Sequence, residues 1–352
     1  MPTPGRFDDH PFIRACRGLP HDRVPVWFMR QAGRSLPEYR AVRGEGTILD
    51  AIADPDLSTE ITLQPVRRYG VDAAILYSDI VVPAHAVGFG LTVTPGVGPE
   101  VERPFRHADD LARLRPLDPE TDTPYVLETV RQLVAELDVP LIGFAGAPFT
   151  VASYLIEGRP LRDYVETKRL MFDDEHLWHS PDGPPGRSRG RLARLAGRGG
   201  GRRDPAVRLV GRRPLALPVR AVRPPAFPAL LTEIGATGVP CIHFGVTTGE
   251  LLELIHTGRR CGRHRLAGTA RPGPPPRRRG RPAGKPRPDD GDGRSRHGPR
   301  LRTRDVLDRN AGHPGHVFNL GHGVMPATDP DVLAEVVRTV HAEGTAGGSI
   351  AR

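Results

Sequence analysis

Between Val24 and Phe172, short apolar runs alternate with segments whose apolar side chains recur at helical spacing. The run Val24–Met29 has the length and composition of a buried strand, and so does Ala73–Ser78. The segment Pro124–Leu137 instead places its apolar residues on one helical face. Strands that alternate with helices in this way usually form parallel sheets covered by helices. The pattern therefore predicts an α/β fold with parallel strands.

The length of 352 residues suits either two ordinary domains or one (β/α)8 barrel. The N-terminal residues contain no apolar segment typical of a secretory signal, and no apolar run approaches the ~20 residues that cross a bilayer. Cys16, Cys241 and Cys261 are too few and too scattered for a disulfide framework or a metal-binding cysteine pair. We therefore expect a cytoplasmic protein with neither a membrane partner nor a bound metal.

The positive charge of the chain is confined to two segments. The net charge is +9, but residues 181–225 carry +10 and residues 258–302 carry +12, so the rest of the chain carries −13. A basic chain ordinarily suggests a nucleic-acid partner. Here the remaining chain is acidic, and nucleic acid is not the expected partner.

Both basic segments are rich in Arg, Pro and Gly and show little hydrophobic periodicity. Such a composition buries too little apolar surface to offset the entropy of ordering. Three hypotheses account for the segments: disordered nucleic-acid-binding insertions, long lids over a site, or out-of-frame translation of a GC-rich gene. We favour the last, because shifted GC-rich codons yield these residue types and the segments fall where strands and helices are expected.

A cluster of arginines follows the first predicted strand. Arg30-Gln31-Ala32-Gly33-Arg34 comes directly after the apolar run, and Arg40 and Arg43 follow. The planar guanidinium group binds a carboxylate through two parallel hydrogen bonds. The stretch therefore predicts an anion site, although a solvated basic loop would have the same sequence.

Three further segments carry residues suited to chemistry. Asp79 ends a strand, where barrel active sites are built, although a helix cap or loop acid is an equal alternative. Gly143–Tyr154 contains a small-residue turn that lets backbone N–H groups approach a ligand, and an ordinary α/β turn has the same pattern. His322 lies between two glycines after a predicted strand, and a structural hydrogen-bonding role is its alternative.

Together these segments resemble the uroporphyrinogen decarboxylase family. Met29–Tyr39 follows the family pattern Met-Arg-Gln-Ala-Gly-Arg-Tyr-Leu-Pro-Glu-Tyr, with Ser35 in place of the Tyr. The segment Tyr77-Ser78-Asp79-Ile80 matches the region of the family's essential aspartate. Gly143–Thr150 and Val317–Val324 match two more motifs, with Phe149 in place of Trp. The resemblance covers residues 7–178, 227–257 and 303–344.

The resemblance implies one (β/α)8 TIM barrel domain over residues 1–352, incomplete or distorted over 181–225 and 258–302. It implies a cofactor-free, metal-free lyase that forms a homodimer. The reaction removes four acetate carboxyl groups from uroporphyrinogen III and gives coproporphyrinogen III and CO2. It also implies the site residues: Asp79 and Arg30 are catalytic, and the substrate-binding residues are Arg30, Gln31, Ala32, Gly33, Arg34, Arg43, Asp79, Phe144, Tyr154 and His322.

The chain departs from the family pattern in its second half. An Asp-Ser-Trp segment whose Ser contacts substrate is expected near residues 205–215, where the chain instead continues from Asp204 with Pro-Ala-Val-Arg-Leu-Val-Gly-Arg-Arg. The sixth and seventh strands, expected in 258–300, are also missing from the pattern. A barrel short of three strands has open edges, so we expect this polypeptide to fold poorly or to be impaired.

Two other functions are compatible with parts of the sequence. A cobalamin-linked methyltransferase of the same barrel superfamily would need a zinc site of the type His-x-Cys, whereas Cys241 precedes His243. A nucleic-acid-binding protein would use the two basic segments. We expect His243 to be a core residue or to lie behind the site.

Overall fold

The computed structural model describes residues 5–161, 163–174, 177–178, 207–212, 239–245, 298–310 and 315–344. No helix in these ranges is both long enough and apolar enough to cross a membrane. The helices in these ranges are α1 (Pro11–Arg17), α2 (Pro37–Arg43), α3 (Ile48–Ile52), α4 (Pro55–Tyr69), α5 (Val82–Ala86), α6 (Pro119–Asp122), α7 (Pro124–Glu136), α8 (Pro148–Glu157), α9 (Val165–Asp173), α10 (Gly298–Arg309) and α11 (Pro330–Glu343). The strands are β1 (Ala74–Ile75), β2 (Leu91–Thr94), β3 (Gly98–Val101), β4 (Leu141–Gly146), β5 (Val207–Arg212) and β6 (Cys241–Gly245).

Four of the strands form a parallel sheet in the order β1, β4, β5, β6. The register pairs Ala74 with Leu141, Ile142 with Val207, and Arg208 with Cys241. Strands β2 and β3 form a separate antiparallel pair. Between β1 and β4 the chain passes through α5, α6 and α7, so these two parallel strands have the helical crossover expected of an α/β fold.

Two extended segments lie beside this sheet and bring the two ends of the chain together. Val26 pairs in parallel with Phe318, and the Phe318 N–H donates to the Pro25 carbonyl at 2.8 Å. On the other side, the Asp72 N–H donates to the Val26 carbonyl at 2.8 Å. Six extended segments therefore lie side by side. Their order is the segment around Phe318, the segment around Val26, β1 with the residues leading into it, and then β4, β5 and β6.

The buried side chains of these strands form one apolar cluster, into which α1 packs. Gly315, which precedes the segment around Phe318, lies so close to α1 that a Cβ on it would be 3.0 Å from the Ala15 carbonyl oxygen. Helix α1 therefore lies at the N-terminal end of the strands, and the opposite end carries the loops that matter for function. The buried members are Phe12, Ile13, Ala15, Cys16, Trp27, Ala73, Ile75, Ile142, Ile242 and Val317.

Helices α4 and α7 cover the outer face of β1 and β4. Leu63 of α4 and Leu133 of α7 pack with Leu141 of β4. Helix α4 begins after Asp54, whose carboxylate accepts hydrogen bonds from the N–H groups of residues 56 and 57 at 3.1 Å. Side-chain caps of this kind satisfy the free N–H groups of a first turn, which explains why the helix begins at Pro55.

Several predicted elements are confirmed. The apolar spacing of Pro124–Leu137 predicts a helix, which is α7. The apolar runs at 140–146 and 239–246 predict strands, which are β4 and β6, and the apolar spacing of 332–340 predicts a C-terminal helix, which is α11. The sequence also predicts ordered structure at 227–235 and a helix around 250–256, and these residues lie outside the described ranges, as does most of both basic segments.

One expectation about the basic segments is wrong, and another part of them is ordered. Residues 205–215 are expected to lack a barrel strand, but β5 forms there, because the backbone of Val207–Arg212 pairs with β4 on one side and β6 on the other. The last residues of the second basic segment are helical, since α10 begins at Gly298. Its Thr303 and Leu307 are buried, so burial of one helix face favours order there despite the basic composition.

Candidate active site

The predicted site residues follow different parallel strands and lie at the same end of the sheet. Arg30 follows the segment around Val26, Asp79 follows β1, and His322 follows the segment around Phe318. The turn after Gly146 follows β4. The C-terminal ends of parallel strands are where α/β enzymes place their active sites.

Arg30 has an unusual backbone conformation, with a φ of 60°. Among the described residues, Tyr164 is the other residue besides glycine with a positive φ. Such a conformation costs on the order of 1–3 kcal/mol and persists only where the surroundings enforce it. Strain of this kind is frequently found at functional sites, which favours a functional role for Arg30.

Gln31 holds the turn that carries Arg30. The Phe28 N–H donates to Gln31 Oε1 at 3.0 Å, and Gln31 Nε2 donates to the Ala73 carbonyl at 3.0 Å. The side chain is fully buried. Gln31 therefore ties the turn to the neighbouring strand, and its direct contact with substrate stays a prediction.

The guanidinium groups of Arg30 and Arg34 are available to a ligand. Both residues are exposed, and neither guanidinium has a hydrogen-bond or salt-bridge partner in the described part of the chain. Ala32 and Gly33, which separate them, are half-buried. Two unpaired cations beside a small-residue turn can bind carboxylates.

Arg43 is a half-buried arginine whose guanidinium already has partners. It donates to the carbonyl oxygens of Glu45 at 3.2 Å, Gly46 at 3.0 Å and Thr47 at 2.5 Å, and these contacts fix the loop between α2 and α3. It also interacts with the Tyr77 hydroxyl and opposes the rise in the pKa of Tyr77. Arg43 therefore lies beside the strand end that leads to Asp79, and its contact with substrate stays a prediction.

Asp79 is a half-buried carboxylate. Its Oδ1 accepts a hydrogen bond from the Val81 N–H at 3.1 Å. Burial raises the pKa of Asp79, while the N–H groups of Val81 and Ile80 and the charge of Arg30 oppose that rise. Asp79 does not cap α5, which begins after Val81. It is a partly desolvated acid under the influence of the Arg30 cation.

Half-buried aromatic and apolar side chains belong to the same strands and connections as these charged groups. Phe144, Met29 and Phe244 pack on the apolar cluster between the strands. Tyr154 of α8 packs in a second cluster that contains Ile80 and Val81, the residues after Asp79. His322 is exposed, and its Nδ1 lies 2.7 Å from the Gly323 carbonyl oxygen, which orients Nε2 away from that carbonyl.

Two tyrosines near the site were not singled out from the sequence. The hydroxyl groups of Tyr39 and Tyr77 lie 3.1 Å apart and are buried, so α2 is tied to the strand end that leads to Asp79. Burial and the neighbouring Tyr39 hydroxyl raise the pKa of Tyr77. Tyr77 lies two residues before Asp79 at the same strand end, and this spacing could have identified Tyr77 from the sequence.

Among the described residues, no group of three His, Cys, Asp or Glu side chains could hold a metal ion. The arrangement at this end of the sheet is instead a pair of free arginines, a carboxylate and an apolar floor. Such a site is suited to an anionic ligand with an apolar framework.

Comparisons with known proteins identify the family. The model of the family described as Uroporphyrinogen decarboxylase (URO-D) matches residues 8–180 and 297–343. A uroporphyrinogen decarboxylase from Salinispora tropica is 47% identical over 376 residues, covering 97% of this chain and 92% of the relative. One from Streptomyces griseus is 46% identical over 348 residues, covering 95% of this chain and 92% of the relative.

A solved structure is also similar. A methyltransferase from Methanosarcina mazei has a TM-score of 0.62 with 16% sequence identity, covering 96% of this chain and 98% of that one. At this identity the likeness concerns the fold alone. The family model and the relatives carry the assignment: the chain belongs to the uroporphyrinogen decarboxylase family.

Proposed function

We propose that this chain is a carboxy-lyase that removes the four acetate carboxyl groups of uroporphyrinogen III and gives coproporphyrinogen III and CO2. The observation that carries the proposal is the Arg30 turn. A strained arginine with a free guanidinium lies in the same strand-end site as the half-buried Asp79 and opposes the rise in the Asp79 pKa that burial causes.

The arginines are suited to the charge of this substrate, which has eight carboxylates. Arg30 and Arg34 bind two of them, and each hydrogen bond to a charged group contributes roughly 1.5–3 kcal/mol. The half-buried Phe144 and the apolar residues around it contact the tetrapyrrole framework, with Tyr154 and His322 at the rim. Arg30 orients the acetate group that reacts.

The reaction itself needs an electron sink, which the protonated pyrrole ring of the substrate provides. The bond between the acetate methylene and its carboxylate breaks, the electron pair flows into the ring, and CO2 leaves. A proton then replaces CO2 on the methylene, so that a methyl group remains, and the ring releases the proton that had made it cationic. Asp79 lies against the pyrrole N–H groups and stabilises the cationic ring electrostatically, and a carboxylate in a partly desolvated place is more effective in that role than one in water.

We further infer a single (β/α)8 barrel. Six extended segments lie side by side in chain order, and the first and last of them are adjacent, as closure of a barrel requires. The similarity to the methyltransferase over nearly the whole chain supports this architecture. A homodimer in the cytoplasm, expected from the family resemblance, completes the proposal.

The experiment is conversion of uroporphyrinogen III under anaerobic conditions by the purified chain, with products separated as porphyrins after oxidation. We expect coproporphyrinogen to form, and Asp79→Asn to lower kcat by about 10²–10³-fold, as the loss of one electrostatic stabiliser does. The exposed Asp109 provides the matched control, because Asp109→Asn removes a carboxylate of the same size from a segment that carries none of the predicted site residues. Equal rates for both variants would overturn the role of Asp79.

A further inference from the structure

Residues 319–324 form the loop after the last extended segment. This loop binds both the N–H and the carbonyl of Met29, the residue before Arg30. Asn319 Oδ1 accepts hydrogen bonds from the Met29 N–H at 3.3 Å and from the Leu320 N–H at 2.7 Å. The Val324 N–H donates to the Met29 carbonyl at 2.8 Å. The backbone that leads into Arg30 is thus fixed by a loop from the other end of the chain.

The same loop also leaves room for the Arg30 side chain. A Cβ placed on Gly323 would lie 2.9 Å from Arg30 Cδ, 3.1 Å from its Cγ and 3.4 Å from its Cβ. Carbon atoms in contact lie about 3.5–4.0 Å apart. The backbone of Gly323 is not in the left-handed region, so its conformation does not require glycine. What requires glycine there is the stem of Arg30, which occupies the space that a side chain would fill.

We propose that Asn319 and Gly323 are positioning residues for Arg30. Asn319 fixes the backbone before the left-handed residue, and Gly323 gives the arginine stem a slot that directs the guanidinium over the strand ends. This inference rests on the proposed decarboxylase function, because it concerns the arginine that orients the reacting acetate. It adds that the productive position of Arg30 is set by the loop that also carries His322.

Gly321 makes a sharp test possible, because it lies in the same loop and a Cβ on it would meet nothing within 4 Å. Its backbone, too, is outside the left-handed region. We expect Gly323→Ala to lower kcat by about 10²-fold, the effect of misplacing a catalytic group by about 1 Å, with KM within about twofold. Gly321→Ala should leave both constants unchanged. Equal behaviour of the two variants would overturn the proposal.

A double-mutant cycle separates positioning from general damage to the loop. Arg30→Ala removes the atoms that Gly323→Ala displaces, so the second substitution should have no further effect on kcat in that background. Residues that act through one contact are non-additive in this way, whereas independent effects add. Additive losses would show that Gly323 does not act through Arg30. Asn319→Leu, which removes the acceptor for Met29, should also lower kcat without raising KM.

Crystal structures test this inference without measuring the reaction, so its outcome does not depend on the proposed function. Crystal structures of the full chain and of its Gly323→Ala variant should show the Arg30 stem displaced from the loop, with the stem unmoved in Gly321→Ala. If the parent chain forms no coproporphyrinogen, the proposed function fails, while this structural comparison still decides the inference. An Arg30 stem in the same place in all three structures would refute it.

Discussion

Asp72 Oδ2 lies 2.7 Å from His341 Nε2, so a buried carboxylate beside β1 is joined to the C-terminal helix α11. The same oxygen accepts the Val26 N–H at 2.7 Å, and Oδ1 pairs with the Arg23 guanidinium. Burial raises the pKa of Asp72, but these hydrogen bonds and charges, with His341 first among them, outweigh burial and hold the pKa below its usual value. One carboxylate therefore fastens the first extended segment and the last helix to the sheet.

Removing this charge should destabilise the fold at neutral pH. We expect Asp72→Asn to lower the free energy of unfolding at pH 7 by about 1.5–3 kcal/mol, the scale of hydrogen bonds to a charged group. Because the folded-state pKa lies below the unfolded value of about 3.9, this stability is present above that pH and is lost as the pH falls through the folded pKa. Urea unfolding across this range measures it. Asp9, whose exposed carboxylate pairs with Arg14 at 3.0 Å, serves as control, and an equal loss in Asp9→Asn would contradict the prediction.

Asp79 should behave in the opposite direction. Burial raises its pKa above the unfolded value of about 3.9, so its contribution to stability is present below that value and is lost as the pH rises through the folded pKa. We therefore expect Asp79→Asn to raise the melting temperature at pH 7 while it lowers decarboxylation. In the parent chain, kcat/KM should decline as the pH falls through the raised pKa, because the ionised form is the active one. A lower melting temperature in Asp79→Asn would show that the carboxylate supports the fold instead.

Arg34 should contribute to substrate binding in a salt-dependent manner. Its guanidinium is exposed and has no partner among the described residues, so we expect Arg34→Ala to raise KM about tenfold, the lower end for a charged hydrogen bond. The increase should shrink at high salt, since exposed charges are screened. Arg103 is also exposed and lies directly after β3, outside the segments that carry the predicted site residues, so Arg103→Ala should leave KM unchanged at either salt concentration. A rise in KM for both variants would indicate attraction by overall charge.

The two basic segments, 181–225 and 258–302, lead to a prediction about the gene. The family-model match ends at residue 180 and resumes at 297. It leaves out nearly all of both segments, which agrees with out-of-frame translation of them, and it also leaves out residues 227–257 between them. We expect the nucleotide sequence to contain compensating one-base insertions or deletions near the segment edges. Restoring the frame should raise the rate of coproporphyrinogen formation, because the family sequence expected in these segments would then be available to build the barrel. Equal rates for the present and the restored chain would rule this out.

The elements that the sequence predicted depend on local pattern. Helix α7 and strand β4 have periodic apolar residues, so their existence follows from spacing alone. Strand β5 was missed because its Arg-rich sequence has no such pattern, and its order comes from pairing with β4 and β6. Pairing on both edges is a tertiary effect that overrides local preference.

The site shows the same division. The motifs identified Arg30 and Asp79, but the left-handed turn at Arg30 depends on a hydrogen bond from Gln31 to Ala73, 42 residues away. The placement of Arg43 likewise depends on how the loop at residues 45–47 folds back onto its guanidinium. Residue identity was thus predictable, whereas the partner of each side chain was not.

The contact between Met29 and Asn319 spans 290 residues, and it has a consequence for biosynthesis. A ribosome adds about 5–20 residues per second, so about 15–60 s separate the emergence of these two partners. During that time the first extended segment lacks its neighbour and presents an unpaired edge to other chains. The reactive arginine therefore reaches its position only after the C-terminal loop has been made, and a nascent chain is inactive until then.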